Sequence, residues 1–309
     1  MSALRALLDR SGARVLVMGV LNRTPDSFSD GGDFVSEEAA LRRAREMLAE
    51  GADVLDIGAE STRPGAPQIP DDEQIARLGG TIEKAAADGA IVSIDTTSPR
   101  VAEHALGQGA SIVNCVDPAR AAELGALAAK HGGALVLMHC RGSMTAMLGF
   151  SAAADSSYVD VVDEVTRELR AAAERAIRAG LPREEIVLDP GFGFAKNARH
   201  SIALVAHLQA IGALGFPLLV GPSRKSFLAH AAANEAKEAG RGADLAPPAR
   251  RLGGTIAAAL ACADRGARIV RVHDVAEARQ ALDVWSAIGK SERAGQRGAA
   301  VAREEAPRA

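Results

Sequence analysis

Eight times along the chain a short apolar run ends on a polar or charged residue. The runs cover 15–21, 54–57, 91–94, 111–113, 135–138, 186–188, 218–220 and 269–272. The residues just beyond them, in order, are Asn22; Gly58, Ala59 and Glu60; Asp95; Asn114; His139; Asp189; Ser223, Arg224 and Lys225; His273 and Asp274. Runs of this length and apolarity predict buried strands. Buried strands that all finish on hydrophilic residues require an arrangement in which those ends meet.

Between the runs lie helical patterns at 36–51, 72–89, 98–109, 118–132, 156–180, 198–212, 248–266 and 276–288. Ser36 is placed to cap the first of them. Gly51, Gly89, Gly109, Gly132, Gly180 and Gly266 each stop a helix just before the next strand. Strict strand–helix alternation implies parallel strands with right-handed crossovers. The length of 309 residues suits one barrel of ~250 residues with extensions. No GxGxxG turn comes after the first strand, so the doubly wound alternative lacks its signature. The expected fold is α/β, a single (β/α)₈ TIM barrel over 1–289, with 290–309 as a polar, disordered C-terminal tail. In such a barrel the strand ends share one mouth, where a site assembles.

Net charge is −3, which gives no basic field for nucleic acid. No apolar run approaches the ~20 residues of a membrane span, and the first ten residues are too charged for a signal peptide. Three cysteines, Cys115, Cys140 and Cys262, cannot all pair and suit the cytoplasm. Segments 22–35, 58–71 and 235–247 break the rhythm as long loops, the kind that bind or cover ligands. Ser223 to Phe227 sits where strand seven hands over to a helix, whose free N–H groups can hold an anion. Arg271 and His273 share one face of strand eight by the period of two, and both can donate to an oxyanion.

The motifs that carry these residues are NRTPDSFSDGG at 22–32, GADVLDIGAESTRPGA at 51–66, SIDT at 93–96, LMHCRG at 137–142, LDPGFGFAK at 188–196, GPSRKSF at 221–227 and RVHDV at 271–275. Together and in this order they make the chain resemble the dihydropteroate synthase family over about 14–288. The resemblance implies a folate-pathway transferase. In its reaction 4-aminobenzoate displaces pyrophosphate from (7,8-dihydropterin-6-yl)methyl diphosphate, with Mg²⁺ assisting and 7,8-dihydropteroate as product.

The resemblance also implies roles. Asp189, Asn114 and Asp95 take the guanidine-like edge and ring of the pterin, since carboxylates accept its N–H donors strongly. Arg271 and His273 hold the diphosphate, and Asn22 matches the family's Mg²⁺ ligand. Lys225 bridges pterin and leaving group, so Lys225, Arg271, His273 and Asp95 are the expected catalytic set. Ser226 is expected on the aryl carboxylate, and Phe28, Pro64 and Phe192 along the aryl ring. Thr62 and Arg63 are expected from a loop that closes over both substrates. An electron-rich dihydropterin tolerates positive charge at its methylene, so a dissociative path without a strong base is expected. A homodimer and sulfonamide inhibition complete what the resemblance implies.

The chain departs from the family at Arg23, expected to point to water, and at Cys115 and Cys140, expected to be packing thiols. Two other readings compete. A methyltetrahydrofolate-dependent methyltransferase shares the barrel but has no use for ESTRPGA and GPSRKSF. A non-catalytic paralogue would bind pterin without condensing it.

Overall fold

Eight parallel strands close on themselves in sequence order, β1 to β8. The computed structural model describes residues 1–12, 14–23, 37–60, 68–142, 151–242 and 244–304, with side chains as far as Ser291. In chain order the elements are α1 (Ala3–Ser11), β1 (Leu16–Asn22), α2 (Glu37–Ala49), β2 (Val54–Gly58), α3 (Asp71–Leu78), α4 (Thr81–Ala87) and β3 (Val92–Asp95). Next come α5 (Pro99–Gly107), β4 (Ile112–Cys115), α6 (Ala121–Lys130), β5 (Ala134–Met138), α7 (Val161–Arg178) and β6 (Ile186–Asp189). The last are α8 (Ala198–Ala206), α9 (Leu208–Gly212), β7 (Leu218–Val220), α10 (Ser226–Glu238), α11 (Leu252–Asp264), β8 (Ala267–Val272) and α12 (Val275–Glu304). The expected TIM barrel is therefore the fold, and each strand overlaps its apolar run.

Period-two alternation sorts the strand side chains into two cores. Outward residues such as Leu55, Ile94, Val113, Leu137, Leu188 and Val220 pack against the helices. Inward residues Leu16, Met18, Val54, Ile112, Ala134, Val136, Val187, Leu219 and Ile269 form a second cluster inside the barrel. Leu4 and Leu8 of α1 join that inner cluster, so α1 plugs the amino-terminal end of the barrel. Ser2 caps α1 by accepting from Arg5 N–H, and its backbone N–H reaches the buried Glu185 just before β6 at 2.8 Å. The sequence pattern predicts no helix there. With one end closed by leucines, only the carboxyl end is left for polar chemistry.

Four other boundaries differ from the pattern, the first two for local reasons. The helix expected at 72–89 is two, α3 and α4, because Gly79 adopts φ 52° and Gly80 N–H donates to Glu37 Oε2 at 2.8 Å. The helix at 198–212 is broken at His207, which leaves the helical region at φ −116°, ψ 29°. The segment 235–247 is not all loop, since α10 runs on to Glu238. α12 continues to Glu304, past the boundary drawn at 289, and 305–309 lie outside the described residues. No described helix is long and apolar enough to cross a membrane.

Candidate active site

Above the apolar plug the barrel interior turns ionic. Asp56, inward on β2 and fully buried, accepts from Arg271 Nε of β8 at 2.6 Å. It also accepts from Asn114 Nδ2 of β4 at 3.0 Å. Arg271 Nη2 donates to Asp95 of β3 at 2.7 Å. One guanidinium thus joins two carboxylates, and strand register makes the grouping obligatory. Asn22 pairs with Gly58, Gly58 with Asp95, and Asp95 with Asn114 around four adjacent strands. Gly58 leaves the room, because a Cβ there would lie 3.3 Å from Asp95 Cβ.

The electrostatics follow from burial. Burial disfavours the Arg271 charge, but Asp56 and Asp95 outweigh that and raise its pKa. Burial pushes Asp95 up to about 7, against the pull of Arg271 and with the Asp56 charge adding to it. Asp56 Oδ1 and Asp95 Oδ1 are both buried without a hydrogen-bond partner among the described residues. Buried acceptors of that kind are rare and call for an explanation. An ionic cluster here is not a stability device, since apolar side chains of similar volume would cost less to bury.

A second group lies at the ends of β6 and β7. Asp189 Oδ1 accepts from Gly191 N–H at 2.7 Å, and burial raises its pKa while the Lys225 ammonium opposes that. Lys225 precedes α10, and its Nζ lies 4.4 Å from the Phe194 ring centroid. Burial lowers Lys225 to about 8, although Asp189 favours its charge. Arg224 makes this turn possible by adopting φ 57°, with its N–H on Thr255 Oγ1 at 3.0 Å and its side chain paired to Asp274. Just past β8, His273 N–H donates to Ser223 Oγ at 3.2 Å. Ser223 Oγ is also 2.9 Å from His273 Nδ1. One serine hydroxyl thus touches both the backbone and the ring of His273 and fixes the ring's orientation.

Asn22 ends β1, half-buried at the mouth. Ser226 opens α10, with its Oγ on Ser151 Oγ at 3.0 Å. Phe192 does not face the mouth: it is fully buried, 5.6 Å from the Phe227 ring. Phe194, two residues on, is the ring that meets Lys225. Phe28, Thr62, Arg63 and Pro64 lie outside the described residues. Arg23 does not point to water; it is buried, with Nε donating to the Arg77 carbonyl at 2.8 Å. Burial raises Cys115 to about 12 and Cys140 to about 11, so both thiols stay protonated. Sequence reasoning missed Asp56 and Phe194, and it placed Ser223 at the mouth without foreseeing its contact with His273. Asp56 did carry a signal, as an acid in the middle of an otherwise apolar strand.

The model of a family described as pterin-binding enzymes matches residues 18–273. A Synechocystis dihydropteroate synthase is 41% identical over 279 residues, covering 90% of this chain and 91% of that protein. A dihydropteroate synthase of Neisseria meningitidis serogroup B is 42% identical, covering 88% and 92%. The chain belongs to the dihydropteroate synthase family. It is a transferase of that family, and the methyltransferase reading falls away. Among solved family members, the Xanthomonas albilineans enzyme with 4-aminobenzoic acid superposes with a TM-score of 0.77 at 39% identity, covering 89% of this chain and 93% of that one. The Burkholderia cenocepacia enzyme complexed with 7,8-dihydropteroate gives 0.77 at 39% identity, covering 91% and 93%. The Yersinia pestis enzyme in a sulfonamide complex gives 0.78 at 36% identity, covering 90% and 95%.

Proposed function

We propose that this chain joins (7,8-dihydropterin-6-yl)methyl diphosphate to 4-aminobenzoate and releases pyrophosphate. The observation that carries the proposal is the pair of buried carboxylate oxygens on Asp56 and Asp95, beside Arg271, that have no partner among the described residues. A heterocycle with several N–H donors satisfies such acceptors; a purely apolar ligand does not.

Asp95, Asn114 and Asp189 hold the dihydropterin. Arg271 and His273 lie where the diphosphate leaves, as donors to its growing negative charge. The C–O bond to the methylene breaks with its electron pair going to pyrophosphate. The dihydropterin ring carries the resulting positive charge. The amine nitrogen of 4-aminobenzoate then forms the new C–N bond and sheds one proton to water or phosphate. Lys225, beside Asp189, spans pterin and leaving group. Ser226, at the amino end of the 13-residue α10, receives the aryl carboxylate. Phe194 replaces Phe192 as the ring beside the aryl group, and Phe28, Pro64, Thr62 and Arg63 keep the roles that the resemblance gives them.

A Mg²⁺ ion fits the one described ligand. Asn22 offers a single neutral oxygen at a strand end, and a hard cation that keeps its waters and takes phosphate oxygens needs little more from protein. When bound it neutralises charge on the diphosphate. The chain is proposed to act in the cytoplasm, as its three cysteines suit, and as a homodimer, as the family resemblance implies, with the polar 290–309 outside the barrel domain; sedimentation reads the assembly directly.

Sulfonamides test the aryl site. Inhibition competitive with 4-aminobenzoate supports the assignment. Sulfonamides that compete only with the dihydropterin diphosphate, or bind without affecting turnover, contradict it.

A further inference from the structure

Behind the mouth sits a lysine that the transfer chemistry does not use. Lys196 is fully buried, and no carboxylate touches it among the described residues. Its ammonium meets His139 Nδ1 at 2.9 Å, the Phe194 carbonyl at 2.9 Å, the Gly191 carbonyl at 3.0 Å and the His139 carbonyl at 3.3 Å. Three of those acceptors are backbone oxygens, two from the turn after β6 and one from the end of β5. An ammonium in such a cage acts as a clamp between two strand ends.

The turn needs one. Gly191, Gly193 and Ala195 all have positive φ, at 67°, 80° and 49°. Left-handed backbone in a residue with a Cβ costs roughly 1 kcal/mol and persists only where the surroundings impose it. The turn also presses on β5, since a Cβ at Gly191 would lie 2.1 Å from the His139 carbonyl oxygen. His139 is fixed from its other side. Its Nδ1 accepts from Lys196, so Nε2 carries the proton to Glu168 of α7 at 2.9 Å. Glu168 is in turn paired with Arg141. Burial and the neighbouring ammonium hold His139 down to about 4, and burial lowers Lys196 to about 7.

The clamped turn presents Phe194, the ring under the Lys225 ammonium. We propose that Lys196 is a positioning residue for the transfer: by gathering the carbonyls of the turn after β6 onto the end of β5, it sets the Phe194 ring and through it Lys225. The proposal rests on the transferase function proposed for this site. A buried charge without a carboxylate partner is costly, and a methionine-sized apolar side chain would fill the space at lower cost. The clamp therefore serves geometry.

The experiment uses the full chain with Lys196→Met, Phe194→Leu and the double variant. Pyrophosphate release gives kcat and the KM for 4-aminobenzoate, and calorimetry gives affinity for dihydropterin diphosphate. Lys196→Met is expected to lower kcat/KM for 4-aminobenzoate by up to ~100-fold, the scale of a 1 Å misplacement, and dihydropterin diphosphate affinity by a much smaller factor, because Asp95, Asn114 and Asp189 still hold the pterin. Phe194→Leu lowers the same quantity, and the double variant is hardly worse than the poorer single one, because the clamp then has no ring to set. Lys196→Gln, which keeps two N–H donors, recovers part of the loss, and it carries the comparison if the Met variant does not fold. Wild-type kinetics in a folded Lys196→Met protein overturn the proposal. So do losses that multiply in the double variant, or an equal loss of affinity for both substrates. Absence of turnover in the unaltered chain strikes the proposed function instead, and the clamp is then read from 4-aminobenzoate affinity in the same variants.

Discussion

Arg271 on β8 reaches past β1 to Asp56 on β2, with Nε 2.6 Å from the Oδ2 of a carboxylate that water does not touch. That contact keeps a cation charged inside the barrel and holds it at the mouth. The remaining Arg271 donors then serve Asp95 and, in the proposed reaction, the departing diphosphate.

Removing the Asp56 charge should therefore damage both stability and turnover. Asp56→Asn preserves shape but leaves Arg271 with one carboxylate. Breaking a buried pair costs about 3 kcal/mol, and kcat should fall with it. Urea unfolding together with steady-state kinetics checks this; an unchanged midpoint with normal kcat would show that Arg271 does not depend on Asp56.

Asp189→Asn should cripple dihydropterin binding, because one acceptor becomes a donor that faces another donor. A loss of ~2–4 kcal/mol is the scale for an unpaired buried group next to charge. Calorimetric titration with dihydropterin diphosphate measures it. Unchanged affinity removes Asp189 from the pterin site.

Asp95 should give both stability and binding a pH dependence, of opposite sign. Its folded pKa lies at about 7, above the ordinary 3.8. The folded chain therefore holds a proton that the unfolded chain has released, and this contribution to stability is lost as pH rises from about 4 through 7. Ligand binding runs the other way, since the pterin donors need the ionised carboxylate. Dihydropterin diphosphate affinity should fall as pH drops below about 7, and Asp95→Asn should flatten that profile. A profile as steep in the variant as in the wild type would place the titration elsewhere.

Ser223→Ala should lower kcat more than it raises either KM. The hydroxyl touches His273 and orients it, and one neutral hydrogen bond is worth about 1 kcal/mol. The expected loss is about fivefold, read by steady-state kinetics with each substrate varied in turn. A rise in KM alone, with kcat unchanged, would assign Ser223 to ground-state binding.

How much of this was legible in the sequence depended on where the signal sat. Asp95, Asn114, Asp189 and His273 come directly after apolar runs, so strand periodicity alone predicts them at one mouth. Asp56 interrupts its run instead of ending it, and the inward layer it belongs to shows only once register fixes Val20 beside it on β1 and Ser93 on β3. The GFGF stretch offers two equivalent phenylalanines. Backbone twist through the positive-φ residues sends Phe192 to the core and Phe194 to Lys225, and no local pattern distinguishes them. Lys196 and His139 are 57 residues apart and meet only through the barrel. Ser2, Leu4 and Leu8 did carry a cap and an i, i+4 pair, yet a plug helix is recognisable only beside the cavity that it closes.

The most direct test of the account is to mix the purified chain with dihydropterin diphosphate, 4-aminobenzoate and Mg²⁺, and to measure pyrophosphate and 7,8-dihydropteroate together. The two products are expected in equal amounts, with both rates collapsing in Arg271→Met. Tight dihydropterin binding with neither product formed would contradict it and make the chain a pterin-binding paralogue that does not condense its ligand.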